Sequence, residues 1–355
     1  MTVFKAERSS SSGITIPKDQ PVSLKLFIIG VVGYILTLTL IIILANRITM
    51  PLRTLASATY EIGKGDFSAK LPVISSTDEI GVLSHSFCIM QENLMKYIAN
   101  LKKTTAAKEK IEQELSIAHE IQQSLLPHKF PHLKQIDLYA TLIPAKEVGG
   151  DLYDFFFIDE KHLCFAIGDV SGKGVPAALF MAVIKTLLRA KVSLTIDPAK
   201  VFNAMNADLC KDNESCMFVT FFLGVLNIET GVLEYCNAGH NPPLIYTANK
   251  GFYYLNTESS HLPLGVMVDV NYVENRLGLL PEDIFFLYTD GVTEAMNIDD
   301  IQFSEEKLLN VLNKNKNKDK TVSDIVNNVK MAVEQYVSGM VQSDDITMLV
   351  FKYNG

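Results

Sequence analysis

This 355-residue sequence has no excess of positive charge. Its 32 lysines and arginines face 40 aspartates and glutamates, for a formal net charge of -8. Nucleic-acid binders carry a basic footprint, so nucleic acid is not an expected partner. Cysteine is scarce as well. Cys88, Cys164, Cys210, Cys216 and Cys236 are odd in number and form no CxxC pair. That excludes a disulfide framework or a thiolate zinc site and points to reduced cytosolic thiols. No internal repeat or long low-complexity run occurs; "SSSSG" at 9–13 and the lysine/asparagine run at 313–320 read as solvated loops. The glycine-rich stretch "GDVSGKGVPAALFMA" at 168–182 lacks the Walker pattern: Ile167 stands where its first glycine belongs and Gly174 where its hydroxyl belongs. A Cys-x5-Arg phosphatase signature is also missing.

One stretch lacks charge altogether. "LFIIGVVGYILTLTLIIILA" runs for twenty residues, 26–45, about the length that crosses a hydrocarbon core. A buried soluble helix of that length without a charge is the poorer reading. The run is too long for a cleaved signal peptide, and no small-residue cleavage pattern comes after it. Basic residues do not settle the orientation: Lys5, Arg8, Lys18 and Lys25 precede the span, and Arg47, Arg53 and Lys64 lie beyond it. The C-terminal side is placed in the cytoplasm on the strength of the segments downstream of the span.

Beyond the span, apolar residues step by three and four. Leu52, Leu55, Thr59 and Ile62 form one run. After a break with Gly63, Gly65 and Pro72, a second run holds Ile80, Leu83, Phe87, Met90, Leu94, Tyr97 and Leu101, and a weaker frame continues to Leu125. Sustained heptads predict paired helices, here with a second copy of the chain. Pro51-Leu52, the connector and "DEIGVL" at 78–83 make residues 46–98 resemble a HAMP domain. The resemblance implies a parallel dimeric four-helix bundle that relays a signal from the membrane side. Further on, "AHEIQQSLLP" at 118–127 is similar to the phosphoacceptor helix of sensor histidine kinases, with His119-Glu120 as the pair. A kinase needs a downstream ATP domain, and nothing fits its Asp-x-Gly-x-Gly loop, so His119 reads as a plain stalk residue.

After Pro127 the pattern changes to short β-like runs at 136–143, 163–170, 217–228, 232–238, 284–290 and 346–353. Helical patterns lie at about 176–192, 198–212, 303–313 and 321–338. Hairpin-sized links such as "ETG" at 229–231 predict antiparallel sheets and an α+β domain. Aspartates sit where the runs end: Asp151 in "VGGDLYD", Asp169 in "IGDVSGKG", Asp290 in "LYTDGVTEA", and Asp344-Asp345 in "SDDITMLV". One such aspartate is an ordinary turn. Several leaving buried strand edges would repel one another unless solvated, paired or bound to a cation, and hard divalent ions prefer oxygen ligands.

The stretches "PAKEVGGDLYD" (144–154), "GDVSGKGVPAAL" (168–179), "NAGHNPPLIY" (237–246), "LPLGV" (262–266), "YTDGVTEA" (288–295) and "DDITML" (344–349) carry a specific resemblance. In this order they are similar to the sigma-regulatory branch of the PPM metal-dependent serine/threonine phosphatases, the stage II sporulation protein E and RsbU type. It implies two antiparallel sheets packed as a β-sandwich with helices outside, over 128–355, and a site for two Mn²⁺ or Mg²⁺ ions. Carried over by position, Asp169 bridges both ions and the Val170 carbonyl adds a ligand. Asp290 and Asp344 hold the second ion, and Asp151 the first, directly or through water. Asp345 is expected to act indirectly, and Asp154 is the outermost candidate. Lys146 is a candidate phosphate holder and His240 a candidate acid, each weighed against a solvated lysine and a structural turn. The chain thus reads as an N-terminal segment (1–25), a transmembrane helix (26–45), the HAMP domain, a coiled-coil switch helix (99–127) and the phosphatase domain. The implied substrate is a phosphorylated STAS-type anti-sigma-factor antagonist. An inactive signalling scaffold of the same fold is the alternative.

Overall fold

A computed structural model describes residues 20–131, 133–211, 213–255, 262–314 and 321–355. "SSSSG", most of the N-terminal segment and residues 315–320 of the lysine/asparagine run lie outside the described residues. The chain divides into two compact units, one ending at Glu109 and the other Lys110–Gly355.

In the first unit the apolar run forms α1 (Gln20–Leu44), followed by a π-helical turn (Ala45–Thr49) and α2 (Met50–Gly63), with Pro51 in the first turn of α2. Thr49 and Met50 stay helical and the Met50 amide donates to the Ala45 carbonyl, so the helix runs on through the π-helical turn that immediately precedes Pro51. The helical stretch Leu24–Gly63 contains an 18-residue window of mean hydropathy 2.8, long and apolar enough to cross a membrane. The apolar side chains of α1 point outward without cover, Leu26, Phe27, Ile35 and Ile41 among them. A connector then returns along α3 (Glu79–Leu125). Gln91 on α3 donates to the carbonyls of Phe67 and Ala69 at 3.0 and 2.6 Å, and Ser84 to that of Pro72 at 2.8 Å. Asp78 starts α3 by accepting the amides of Ile80 and Gly81, as an N-cap carboxylate does. α3 is one helix of 47 residues and has no break at residues 98–99, where the sequence reading divides HAMP from switch helix.

The second unit contains two antiparallel five-stranded sheets. The first has the order β1 (Ile136–Ile143), β10 (Ile346–Tyr353), β9 (Ile284–Tyr288), β6 (Leu244–Thr247), β7 (Gly251–Tyr254). The second runs β2 (Leu152–Phe157), β3 (His162–Val170), β4 (Val219–Asn227), β5 (Val232–Ala238), β8 (Asn275–Gly278). Alternating side chains let each sheet bury one face against the other. Phe165, Phe222 and Tyr235 from one sheet meet Phe285, Leu287 and Phe351 from the other. The Phe165 and Phe351 rings lie 4.9 Å apart by centroid. Each such ring buried contributes about 1.5–3 kcal/mol. Leu126, just beyond α3, is buried in the same core.

Helices cover the outer faces. α4 (Val175–Val192) and α5 (Pro198–Leu209) pack on the second sheet through Ala177, Met181, Ile184, Phe202 and Met205. α7 (Ser304–Lys314) and α8 (Val322–Val337) pack on the first through Leu308, Ile325, Val329 and Val333. Between β9 and α7 lies the single turn α6 (Asp290–Thr293). The hairpin at "ETG" forms as the sequence predicts: Gly231 takes φ +73°, a conformation that favours glycine, so β5 can turn back against β4. The fold is the α+β sandwich that the sequence implies. β2, β6, β7 and β8 were not among the sequence-predicted strands. The last three have only four residues each, too short for a periodic signal, and β2 begins shortly after a Gly-Gly pair.

Candidate metal centre

Four strand ends deliver the expected acids. Asp151 precedes β2, Asp169 is the penultimate residue of β3, Asp290 lies two residues past β9 and Asp344 precedes β10 by two. Antiparallel pairing sets the start of β2 against the end of β3, with Leu152 opposite Gly168. It likewise sets the end of β9 against the start of β10, with Tyr288 opposite Met348. The two sheets meet at the buried Asp151, whose Oδ2 accepts hydrogen bonds from the hydroxyls of Thr289 (2.8 Å) and Thr347 (2.5 Å).

The acids act strongly on one another. Burial raises the Asp151 carboxyl well above its ordinary range, and the Asp169 and Asp345 charges push it further, against the two threonine bonds. Asp169 is pushed up to about 7, first by burial and then by the charges of Asp290, Asp344 and Asp345; it also hydrogen bonds with Asp151. Asp290 is raised by burial and by Asp344 and Glu294. Like charges this close disfavour one another's ionisation, on top of the cost of burial. The acids face one another without forming a closed cage: among the described residues, no three Asp, Glu, His or Cys side chains stand together at ion-holding spacing. The one cation that reaches in, among the described residues, is Lys173, whose Nζ lies 2.8 Å from Asp344 Oδ2 and donates to the Ser343 carbonyl at 2.7 Å. Gly172 and Gly174 flank it at φ +87° and +76°, so the "SGKG" loop shapes this reach and then starts α4.

The donor set is all oxygen. The carboxylates of Asp151, Asp169, Asp290 and Asp344 could hold divalent ions, with the Val170 carbonyl beside them. A side chain at Gly150 would sit only 2.8 Å from that carbonyl, which keeps the opposite wall bare. Such a set fits hard cations and excludes soft ones.

The remaining candidates sit differently. Asp345 does not point at the other acids. Its Oδ1 accepts the amide of Ala145 (2.8 Å), and its Oδ2 those of Gly150 (2.8 Å) and Asp151 (3.4 Å). It therefore holds the strap of residues 145–151. Asp154 is corrected: its fully buried carboxylate faces α4, paired with Lys185 (2.7 Å) and held in a fork by Arg189 (2.8 and 2.7 Å). An acid neutralised by two cations does not need a metal. Lys146 is exposed on the strap. His240 is 4% exposed, and burial lowers its pKa to about 4. Its Nδ1 lies 3.0 Å from the Thr220 hydroxyl, and Thr220 is the cross-strand partner of Asp169. Asn237 clasps the backbone N–H and carbonyl of His240 at 2.7 and 3.0 Å, which shapes the "NAGHNPP" turn. His119, expected to be a plain stalk residue, instead places Nδ1 2.6 Å from the Glu147 carbonyl. Thr289 and Thr347 lie within the motif stretches, but a hydroxyl aimed at an acid from a distant segment leaves no pattern in sequence.

The sandwich is the fold of PP2C phosphatase domains. It superposes on the SiaA PP2C domain of Pseudomonas aeruginosa with TM-score 0.62 at 19% identity, covering 70% of this chain and 99% of that one. It also superposes on the PP2C phosphatase domain with a regulatory fragment of SpoIIE from Bacillus subtilis, with TM-score 0.53 at 18% identity, covering 63% and 64%. Residues 159–354 match the family "Stage II sporulation protein E (SpoIIE)", and the chain belongs to that family. Residues 43–96 match the HAMP domain. The phosphoserine phosphatase RsbU of Bacillus subtilis is 34% identical over 187 residues, 53% of this chain and 55% of that protein. Protein IcfG of Synechocystis is 29% identical over 91% of this chain and 55% of its own length. The chain thus spans about half the length of these curated relatives. With a PP2C sandwich in the downstream half, the histidine-kinase reading lapses.

Proposed function

We propose that the chain is a membrane-anchored, metal-dependent protein phosphatase that hydrolyses phosphoserine or phosphothreonine on a regulatory protein. The observation that carries this reading is the meeting of Asp151, Asp169, Asp290 and Asp344 at one end of the sandwich, where burial first and neighbouring acid charges second raise the pKa values of the first three. The relatives support it, since RsbU and RsbP of Bacillus subtilis are both phosphoserine phosphatases. Two Mn²⁺ or Mg²⁺ ions held there would supply an ionised water and offset charge on the phosphoryl oxygens. The chain's own residues then have separate tasks. Asp169 stands between the acids of both sheets. Thr289 and Thr347 fix Asp151. Lys173 offers an ammonium at the rim where a phosphate would arrive, and exposed Lys146 is a second candidate. His240, buried and uncharged at neutral pH, is better placed to shape its turn than to protonate a leaving serine.

The substrate is proposed to be a STAS-type anti-sigma-factor antagonist, in keeping with the family. HAMP and phosphatase domains are placed in the cytoplasm, and the uncovered apolar faces of α2 and α3 (Leu52, Leu83, Met90 and Tyr97) are assigned to a homodimer whose stalk controls activity. The test is Mn²⁺-dependent release of phosphate from a phosphoserine protein by the full chain. Asp169→Asn and Asp290→Asn should abolish it; turnover retained in both would rule the assignment out. Metal binding without any turnover would instead favour the scaffold.

A further inference from the structure

We propose that the groove between α6 and the end of α8 is a docking site for the protein substrate. It takes an apolar side chain with a basic neighbour, a few residues from the phosphoserine. This deepens the metal-dependent phosphatase reading and rests on it.

The groove has a volume of about 390 Å³. Met296 after α6, Val333 and Val337 of α8, Met340 and Val341 of the following loop, and Ile346 of β10 line it. Apolar side chains gathered in the open on a protein surface mark an interaction site. Here Val341 is 90% exposed, and Met296 and Met340 are exposed as well. Methionine is unbranched and polarizable, so two of them suit a groove that must fit a side chain from another protein.

The groove is shaped before anything enters it. α8 ends with Ser338 at φ +51° and Gly339 at φ +85°, a left-handed pair that turns the chain back. The Ser338 amide donates to the Glu334 carbonyl at 3.2 Å, and the Met340 amide to that of Val337 at 3.1 Å. Gln342 ties down the far side of the loop, its Nε2 donating to the carbonyls of Ile143 (2.9 Å) and Asp344 (2.6 Å).

Its occupant follows from its place. Gly291 and Ser343 also line the groove, and each is the chain neighbour of an acid of the cluster, Asp290 and Asp344. Lys173 stands at the boundary, donating to the Ser343 carbonyl (2.7 Å) with Nζ 2.8 Å from Asp344 Oδ2. Three residues of chain span at most about 11 Å, so the Cα of Val341 is no further than that from the Cα of Asp344. A phosphoserine whose phosphate meets the acids therefore lays one flank over the groove. In an extended segment, the side chain about two to four residues away reaches Met340 and Val341. Charge at the rim selects its neighbour. Two of the lining residues are acidic, Asp300 and Glu334, and none is basic. Lys330 comes within 3.9 Å of Glu334, but both are exposed and such a pair is weak. A lysine or arginine on the substrate complements this rim, and an acidic flank is repelled.

The experiment uses the full chain in lipid nanodiscs at saturating Mn²⁺. One probe is p-nitrophenyl phosphate, small enough to sit at the acids alone. The others are a phosphoserine peptide with leucine and lysine at those distances on both sides, and its two relatives with glycine for leucine or glutamate for lysine. Wild type should prefer the leucine-lysine peptide to either relative by about tenfold in kcat/KM, the scale of one buried leucine. Val341→Asp and Met340→Asp, both at exposed positions, should remove that preference through KM and leave p-nitrophenyl phosphate turnover unchanged; Val341→Leu should keep it. Glu334→Lys should narrow the preference for lysine over glutamate. Equal kcat/KM for the three peptides in the wild type would overturn the proposal, as would aspartate variants that keep the preference. An equal loss on p-nitrophenyl phosphate would also overturn it, since the loop would then belong to the metal centre. So would a changed oligomeric state in Val341→Asp with peptide turnover unmoved, which would give the groove to a second copy of the chain. A wild type that hydrolyses none of the probes overturns the phosphatase reading and this one together; wild-type hydrolysis without peptide preference overturns this one alone.

Discussion

The Asp345 carboxylate receives the Gly150 amide at 2.8 Å across 195 residues of sequence, and Gly150 is the residue before Asp151. The acid next to Asp344 thus acts through backbone. Asp345→Ala leaves the N–H groups of Ala145 and Gly150 unpaired, at about 1–3 kcal/mol for each one that stays dry. We expect a lower thermal midpoint together with weaker Mn²⁺ binding, read by calorimetry. An unchanged midpoint would contradict the role.

Asp169 gives a pH prediction with a definite sign. Its carboxyl sits at about 7 in the fold against 3.8 as its ordinary value. The folded chain therefore keeps a proton that the unfolded chain releases. The associated stability is complete below about pH 3.8 and is lost as pH rises through about 7. Asp151 and Asp290 are raised too and add in the same direction. His240, lowered to about 4, has the opposite sign, since its contribution is present above 6.5 and lost on acidification toward 4. It is common to wild type and variant and cancels between them. In EDTA, Asp169→Asn should therefore gain thermal stability over wild type as pH increases from 4 to 7, and Mn²⁺ should raise only the wild-type midpoint. A variant no more stable than wild type at neutral pH would refute this.

Asp154 and Asp151 separate structure from ligation three residues apart. Removing the carboxylate in Asp154→Ala strands Lys185, whose side chain is 10% exposed. Breaking a buried pair on one side costs about 3–5 kcal/mol. The folded fraction of that variant should keep wild-type Mn²⁺ affinity, whereas Asp151→Ala should lose binding with a smaller loss of stability. Equal loss of Mn²⁺ binding in both would restore Asp154 to the ligands.

The sequence made some of this legible and hid the rest for physical reasons. The strands carrying Asp169, Asp290 and Asp344-Asp345 are long, apolar and rich in branched or aromatic residues, so both strand and terminal acid could be read. β6, β7 and β8 escaped because four residues carry too little periodicity. Asp154 looked like Asp151 because motif spacing does not say which face of β2 a side chain takes. Only the register with β3 and the cover of α4 reveal Lys185 and Arg189. The hydrogen bond from Gln122 Nε2 to the Gly149 carbonyl (2.7 Å) was invisible for a related reason: position 122 fits a heptad frame, and nothing local distinguishes a seam residue from one turned to a backbone 27 residues away.

The central claim is that these acids hold divalent ions. Its most direct test counts Mn²⁺ ions bound to the full chain at equilibrium, wild type against Asp169→Asn, by titration calorimetry with electron paramagnetic resonance of free Mn²⁺. Two ions per chain in the wild type, with binding lost or reduced to one weak site in the variant, is the result this account predicts. Absence of binding to the wild type, or equal binding to both chains, would contradict it.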